Sequence, residues 1–388
     1  MGKIYTALGL MSGTSGDGVD ASIIKSDGNT NYEVIFDRYY KFTDEIYKEF
    51  HSIKKAQDDR NDYERFFSEY EKALFFLEAK ITLFHIDLVN EIIKDFKIDI
   101  DFIGFHGQTI WHDPKGGYSR QLGNGPLLSK STKKNVIYDF RANDLKNRGQ
   151  GAPLVPIFHK LLAEQNKLNL PVTILNIGGI SNITSINKNR EMISSDIGPG
   201  NCLIDEWIRL NSDKLIDKDG LIARSGKINI PILKKALDSF YSSFVRVKRS
   251  YDVSDFDLSF VKGLTLEDGA ATLTAFSADI INNKVFIDID KISDPIDVYA
   301  PSPKDNIYIC GGGRKNKFLI EKIENKIKSR NIENKINLID DLGIDGDFVE
   351  SQAFGYLAIR SFLGLPISFP ETTGCIKPCT GGVLVKNY

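Results

Sequence analysis

Over the first forty residues short apolar runs are cut by turn residues, and over the next fifty apolar positions recur every three or four residues. Runs of the first kind mark strands, and a recurrence near 3.6 marks amphipathic helices. Strands are therefore expected at Lys3–Leu10, Val19–Ser26 and Tyr32–Phe42, separated by a glycine-rich stretch and by "SDGNTN". From Thr43 to about Phe96 the chain predicts helix; in "YERFFSEYEKALFFLEAKITLFHIDLVNEIIKDF" one face is apolar and the other charged. A strand returns in "IDFIGFHGQTIW". "PVTILNIGGISNITSI" predicts two strands joined by a glycine pair, and "EMISSDIGPGNCLIDEWIRL" a short strand, a Gly-Pro-Gly turn and a helix. Helices are expected near Asn229–Phe244, Leu266–Asn283 and Phe348–Leu363. "NIYICGGGRKNKFLIEKIENKIKS" predicts a buried strand, three glycines and an amphipathic helix, and the tail is irregular.

The strands fall into two groups, each opening on a glycine-rich hairpin, with helices between. That pattern predicts an α/β architecture. The division is placed at residues 1–135 and 136–388, with the C-terminal tail free to pack back on the first part. No low-complexity linker separates the halves, so they are expected to share a cleft. No sequence repeat of 20–50 residues is visible, although the two hairpins hint at a structural one.

Composition narrows the function. A chain of 388 residues can build two ordinary domains, and 41% hydrophobic with 26% charged residues is a globular balance. A net charge of −2 argues against a nucleic-acid or anionic-membrane binder. Four cysteines suggest a reducing compartment. No signal-peptide pattern opens the chain and no apolar run approaches membrane-helix length, so a cytoplasmic location is expected.

"GLMSGTSGDGVDASI", residues 9 to 23, is the first candidate for chemistry. Glycines let backbone approach an anion, hydroxyls add donors, and carboxylates supply hard ligands for Mg2+ or its waters. The P-loop pattern fails for want of a lysine, and the Rossmann pattern fails because the glycine spacing differs and no helix follows. "NIGGISNIT" (176–184) is a second strand–glycine turn–strand, and "CGGGRKN" (310–316) a third glycine site that follows a strand and opens a helix. Asp196 in "DIGPGN" reads on spacing alone as a turn or cap residue. Arg141 can either fork onto an acidic substrate or pair with Asp139 or Asp144. His106 and His112 have poor metal spacing. Cys375 and Cys379 have the spacing of a metal half-site, but no second pair exists and a structural role is the favoured reading.

The three glycine sites in this order resemble the actin, sugar-kinase and Hsp70-like nucleotide-binding fold. Together with "GFHGQTIWH", "DFRANDLKNRGQGAPLVP", "DIGPGNCLID" and "GDFVESQAFGYLAIR", they resemble the anhydro-N-acetylmuramic acid kinase family over nearly the whole chain. One letter departs: the family usually carries a bulky apolar residue where Gly16 stands, and a looser loop is expected here.

The resemblance implies a two-domain actin-like ATPase fold with a nucleotide and sugar cleft between the domains. It implies use of ATP and Mg2+, a small anhydrosugar substrate, and a homodimer. The implied reaction is hydrolytic opening of the 1,6 bridge of 1,6-anhydro-N-acetylmuramic acid with phosphorylation of O6. Asp196 matches the family's catalytic aspartate. Phosphate and nucleotide contacts fall on Gly13, Thr14, Ser15, Gly16, Asp17, Gly18, Asp20, Gly178, Gly179, Asn182, Gly311, Gly312 and Gly313, with Asp17 and Asp20 holding Mg2+ through water. Sugar contacts are expected from His106, Gln108, Thr109, Arg141 and Glu350. Two other functions compete: a kinase for another anhydrosugar such as levoglucosan, and a non-enzymatic actin- or Hsp70-like ATPase module.

Overall fold

The computed structural model describes residues 2–56, 63–244, 250–285, 306–329 and 336–387. It divides into two compact units, one of residues 1–165 and 348–388, the other of residues 166–347. Unit 1 runs β1 (Tyr5–Ser12), β2 (Gly18–Ser26), β3 (Tyr32–Lys41), α1 (Asp44–Lys55), α2 (Tyr63–Glu69), α3 (Glu71–Phe96), β4 (Phe102–Asp113), β5 (Tyr118–Leu122), α4 (Gly125–Thr132), β6 (Asn135–Tyr138), α5 (Ala142–Lys146) and α6 (Pro156–Gln165). Unit 2 follows with β7 (Val172–Ile177), β8 (Ile180–Ile186), β9 (Met192–Pro199), α7 (Cys202–Asn211), α8 (Leu221–Ser225), α9 (Ile230–Phe244), α10 (Leu266–Val285), β10 (Asn306–Cys310), α11 (Lys317–Ser329) and β11 (Ile336–Leu338). The chain then returns to unit 1 as α12 (Val349–Phe362), α13 (Pro370–Thr373) and β12 (Val383–Val385).

The two sheets repeat one plan. In unit 1, β1, β2 and β3 form an antiparallel meander, β4 adds parallel to β1, and β6 adds parallel to β4. In unit 2, β7, β8 and β9 form the meander, β10 adds parallel to β7, and β11 parallel to β10. The structural repeat hinted at by the two hairpins is therefore complete to five strands, in the α/β class expected.

The division differs from the one expected at 135/136. β6 begins at that point but hydrogen-bonds to β4, so the chain cannot leave unit 1 there. β12 pairs antiparallel with the far side of β6. α12 lies across β1, β2 and β4. The contact is close because the sheet carries glycine beneath it: a Cβ on Gly9 would sit 1.9 Å from the Ser351 carbonyl oxygen, and one on Gly104 2.2 Å from that of Phe354. Burial of Leu8, Leu10, Ile23, Ile103 and Phe105 against α1 and α3 fills the core of this unit. In unit 2, α10 supplies much of the core, with Ala270, Leu273, Phe276 and Ile280 buried.

Candidate active site

In unit 1 the glycine corner between β1 and β2 gives four of its carbonyls to donors of the protein. The Gly13 carbonyl accepts from the Gly16 N–H (3.2 Å) and from Gln108 Nε2 (2.9 Å). The Asp17 carbonyl accepts from the Phe42 N–H and the Tyr39 hydroxyl, the Gly18 carbonyl from the Ser12 hydroxyl, and the Ser15 carbonyl from His51 Nε2. Lone pairs committed inward are what a loop that meets an anion requires. Thr14 and Ser15 are exposed at its tip, and the Ser15 hydroxyl donates to Asp17 Oδ1 at 2.5 Å. Asp20 is half-buried on β2, opposite Met11 of β1.

Gly16 sits at φ +58°, a left-handed conformation that favours glycine. A Cβ there would lie 2.4 Å from two carbons of the Phe50 ring. Phe50, on α1, is 1% exposed. The corner is thus packed from below by a ring, rather than loosened as its sequence suggests.

A bulge on β4 sets the next group. Leu10 pairs with Phe105 but Ser12 pairs with Gln108, so β4 carries one residue more than β1, with Gly107 at φ +74°. Gln108 is fully buried, taking the Ser12 hydroxyl on Oε1 and donating to Gly13. Expected as a sugar contact, Gln108 has no exposed surface here and fastens the glycine corner from behind. Thr109 is half-buried and its hydroxyl accepts from Gln121 Nε2.

His106 is 4% exposed. Its Nδ1 donates to the Gly107 carbonyl, and its Nε2 accepts from Arg141 Nη2 at 3.0 Å. Burial first, and then the Arg141 charge, pull its pKa down to about 3, so the ring is neutral and can accept. Arg141, half-buried at the start of α5, also donates to the Gly151 carbonyl at 3.4 Å. His106 is a support for Arg141. Asp144, one of the two acids considered as its partner, takes the Gly151 N–H and the Thr373 hydroxyl instead. Glu350 is half-buried in the first turn of α12.

In unit 2 the second and third glycine sites meet. The carbonyls of Gly178 and Gly179 accept from the N–H groups of Gly200, Asn201 and Cys202, which tie the hairpin to the start of α7. A Cβ on Gly313 would lie 2.2 Å from Ile177, and one on Gly311 2.2 Å from Asn176 Oδ1, whereas Gly312 faces open space. Arg314, 8% exposed, holds this turn. Its Nε and Nη2 grip both oxygens of Asp340 at 2.7 and 2.8 Å, Nη2 also reaches Asp345, and Nη1 reaches Asp347 and the Gly311 carbonyl.

Register aligns the remaining polar groups. Asn176 of β7 pairs with Asn182 of β8, which pairs with Asp196 of β9, so the three side chains share one face in a row across the sheet. Asp196, which reads on spacing alone as a turn or cap residue, lies within β9, which continues to Pro199. Beside it, Ile197 is an extra residue, because Ser181 pairs with Gly198. Asp196 Oδ2 accepts from the Tyr251 N–H at 2.9 Å and from the Ser250 hydroxyl at 3.1 Å.

The sequence reading missed Phe50, Arg314, Ser250 and Tyr251. Only Arg314 left a trace, since a basic pair after the glycines faces the later acidic run "DDLGIDGD".

Comparison with known proteins completes the picture. The family profile described as anhydro-N-acetylmuramic acid kinase matches residues 5–387. The chain is 51% identical to the anhydro-N-acetylmuramic acid kinase of Pelagibacter ubique, over all of both chains. It is 35% identical to that of Agrobacterium fabrum over all of both chains, and 37% identical to that of Rhizobium johnstonii over 99% of each. By sequence over its whole length, the chain belongs to the anhydro-N-acetylmuramic acid kinase family.

Proposed function

We propose that the chain is an ATP-dependent kinase that opens the 1,6-anhydro bridge of 1,6-anhydro-N-acetylmuramic acid with water and phosphorylates the freed O6, giving N-acetylmuramic acid 6-phosphate. The observation that carries this reading is the row Asn176, Asn182, Asp196 beside the glycine turns of unit 2. A carboxylate oriented by two donors on Oδ2 is a general base held in one geometry. It takes a proton from water as the water oxygen bonds to C1. The C1–O6 bond breaks, and O6 is left as the nucleophile for the phosphoryl group.

The residues fit a nucleotide. The corner at Gly13–Gly18 commits the carbonyls of Gly13, Ser15, Asp17 and Gly18 to donors of the protein, and the open face at Gly312 lets a flat base lie on backbone. Gly13, Thr14, Ser15, Gly178 and Gly179 would hold phosphates, Gly311 to Gly313 the adenosine side, and Asp17 with Asp20 the Mg2+ through its waters. ATP with Mg2+ supplies the transferable phosphoryl group and neutralises its charge. Arg141, braced by His106, matches the lactyl carboxylate of the muramyl sugar. Thr109 and Glu350 complete the sugar contacts.

The reading includes a cytoplasmic homodimer. Among the described residues no helix is long and apolar enough to cross a membrane.

The test is incubation with Mg-ATP and the anhydro sugar in 18O-labelled water. Label at the anomeric oxygen of a 6-phosphate is expected. ATP hydrolysis with the sugar unchanged would reject the reading.

A further inference from the structure

The cysteines of the tail have a third partner that their spacing could not reveal. A carboxylate oxygen of Asp144, Cys375 Sγ and Cys379 Sγ all lie within 4.8 Å of one another, and all three residues are buried. The carboxylate comes from α5 and the thiols from the segment after α13. We infer that Asp144, Cys375 and Cys379 form a site for one borderline-soft divalent cation of the Zn2+ class, which fastens the C-terminal tail to the segment carrying Arg141.

The chemistry of the donors favours such a cation, because two thiolates and a carboxylate are ligands that Zn2+ accepts together. Zn–S bonds of about 2.3 Å and Zn–O bonds of about 2.0 Å separate ligand atoms of a tetrahedron by roughly 3.5 to 3.8 Å. Cys379 Sγ already lies 3.9 Å from Asp144 Oδ1. Closing the site needs only a small side-chain adjustment. Three protein ligands leave the fourth tetrahedral position to a water, while Ser368 Oγ hydrogen-bonds Cys379 Sγ at 3.0 Å.

The carboxylate supplies a second observation. Asp144 is 1% exposed, and its partners are neutral: the Gly151 N–H at 2.7 Å and the Thr373 hydroxyl at 2.6 Å. A buried carboxylate is costly without a cation, and among the described residues no basic side chain forms an ion pair with Asp144. The two donors orient it as outer partners orient a metal ligand.

The surroundings are fixed as well. Cys379 is held by paired backbone bonds with Ser368, and the Ile376 N–H donates to the Asn147 carbonyl. A Cβ on Gly149 would lie 2.1 Å from Asp144 Oδ2, so the carboxylate fills that space.

Binding releases one proton from each thiol to solvent and forms two S–metal bonds and one O–metal bond, with no change of oxidation state. The cross-link holds α5, and with it Arg141 and Gly151, against the tail.

The test uses the reduced, untagged full chain and does not depend on the kinase reading. Titration with Co2+ should saturate at one ion per chain with a thiolate-to-cobalt charge-transfer band, and Zn2+ should displace it. The thermal midpoint should rise with added Zn2+. Asp144→Asn and the double variant Cys375→Ser/Cys379→Ser should each weaken binding at least about tenfold, with the band abolished in the latter. Absence of the band in the unaltered chain, or binding that persists in the double serine variant, would overturn the site. So would air oxidation to a disulfide in a chain that takes up no metal.

Discussion

The ring of Phe50 occupies the place where a side chain on Gly16 would lie, 2.4 Å from its would-be Cβ. The apolar volume beside this glycine comes from α1. Gly16→Leu is expected to be destabilised and to raise the KM for ATP, both through collision and through the left-handed φ. Phe50→Ala leaves a cavity and should cost about 3–5 kcal/mol. In the double variant the losses should fall short of their sum by roughly 0.5–3 kcal/mol. Urea denaturation of the four chains measures this, and strict additivity would refute the pairing.

If Asp196 is the general base proposed above, Asp196→Asn removes that base while keeping an acceptor for Tyr251 and Ser250. Turnover should fall by roughly 10²- to 10⁴-fold. Nucleotide binding, followed by calorimetry, should stay near normal. A variant with unaltered turnover sinks the assignment.

Arg141→Ala separates sugar classes. If Arg141 meets the lactyl carboxylate, kcat/KM for the anhydromuramic sugar should drop about 10- to 100-fold, the worth of a charged hydrogen bond. A neutral anhydrosugar should be affected far less. Equal losses on both would make Arg141 structural.

Arg314 draws three carboxylates around the Gly311–Gly313 turn. Its hydrogen bonds hold the Asp340 carboxyl below the usual range. For a carboxylate so depressed, stability is present above its unfolded pKa and is lost as pH falls through the folded one. Arg314→Lys keeps the charge but loses the fork, and should raise the KM for ATP with little change in kcat. An unchanged KM would show that the clamp has no bearing on the nucleotide.

Three buried histidines predict acid sensitivity. Burial pulls His85 down to about 4 and His159 to about 3, and burial with the Arg141 charge pulls His106 to about 3. Once unfolded, each binds a proton near pH 6.5 that the folded form refuses until those lower values. Stability should therefore fall as pH drops from about 6.5 toward 4, by about 1.4 kcal/mol per pH unit for each histidine. Urea midpoints between pH 7 and 5 test the slope, and His159→Gln should reduce it. A flat profile would contradict the buried neutral state.

The sequence by itself determined the local elements. Apolar spacing located the strands and the long helices, since side-chain periodicity is set within a few residues. The glycine corners were legible for the same reason: a tight turn beside hydroxyls and amides is written in consecutive letters. Motif order also identified the family.

What the tertiary structure decided depends on residues far apart in the chain. The boundary moved from 135 to 165 because β6 needs β4 as its hydrogen-bonding neighbour, and β12 needs β6. Gln108 reaches the glycine corner because a single bulged residue in β4 alters which side chain lies there. The alignment of Asn176, Asn182 and Asp196 is a matter of register, and one residue's slip would turn any of them to the other face. Phe50 under Gly16 and Asp144 beside two cysteines are packing relations. Chain return, register and packing are settled by which surfaces can be buried together, and no window of sequence contains both partners.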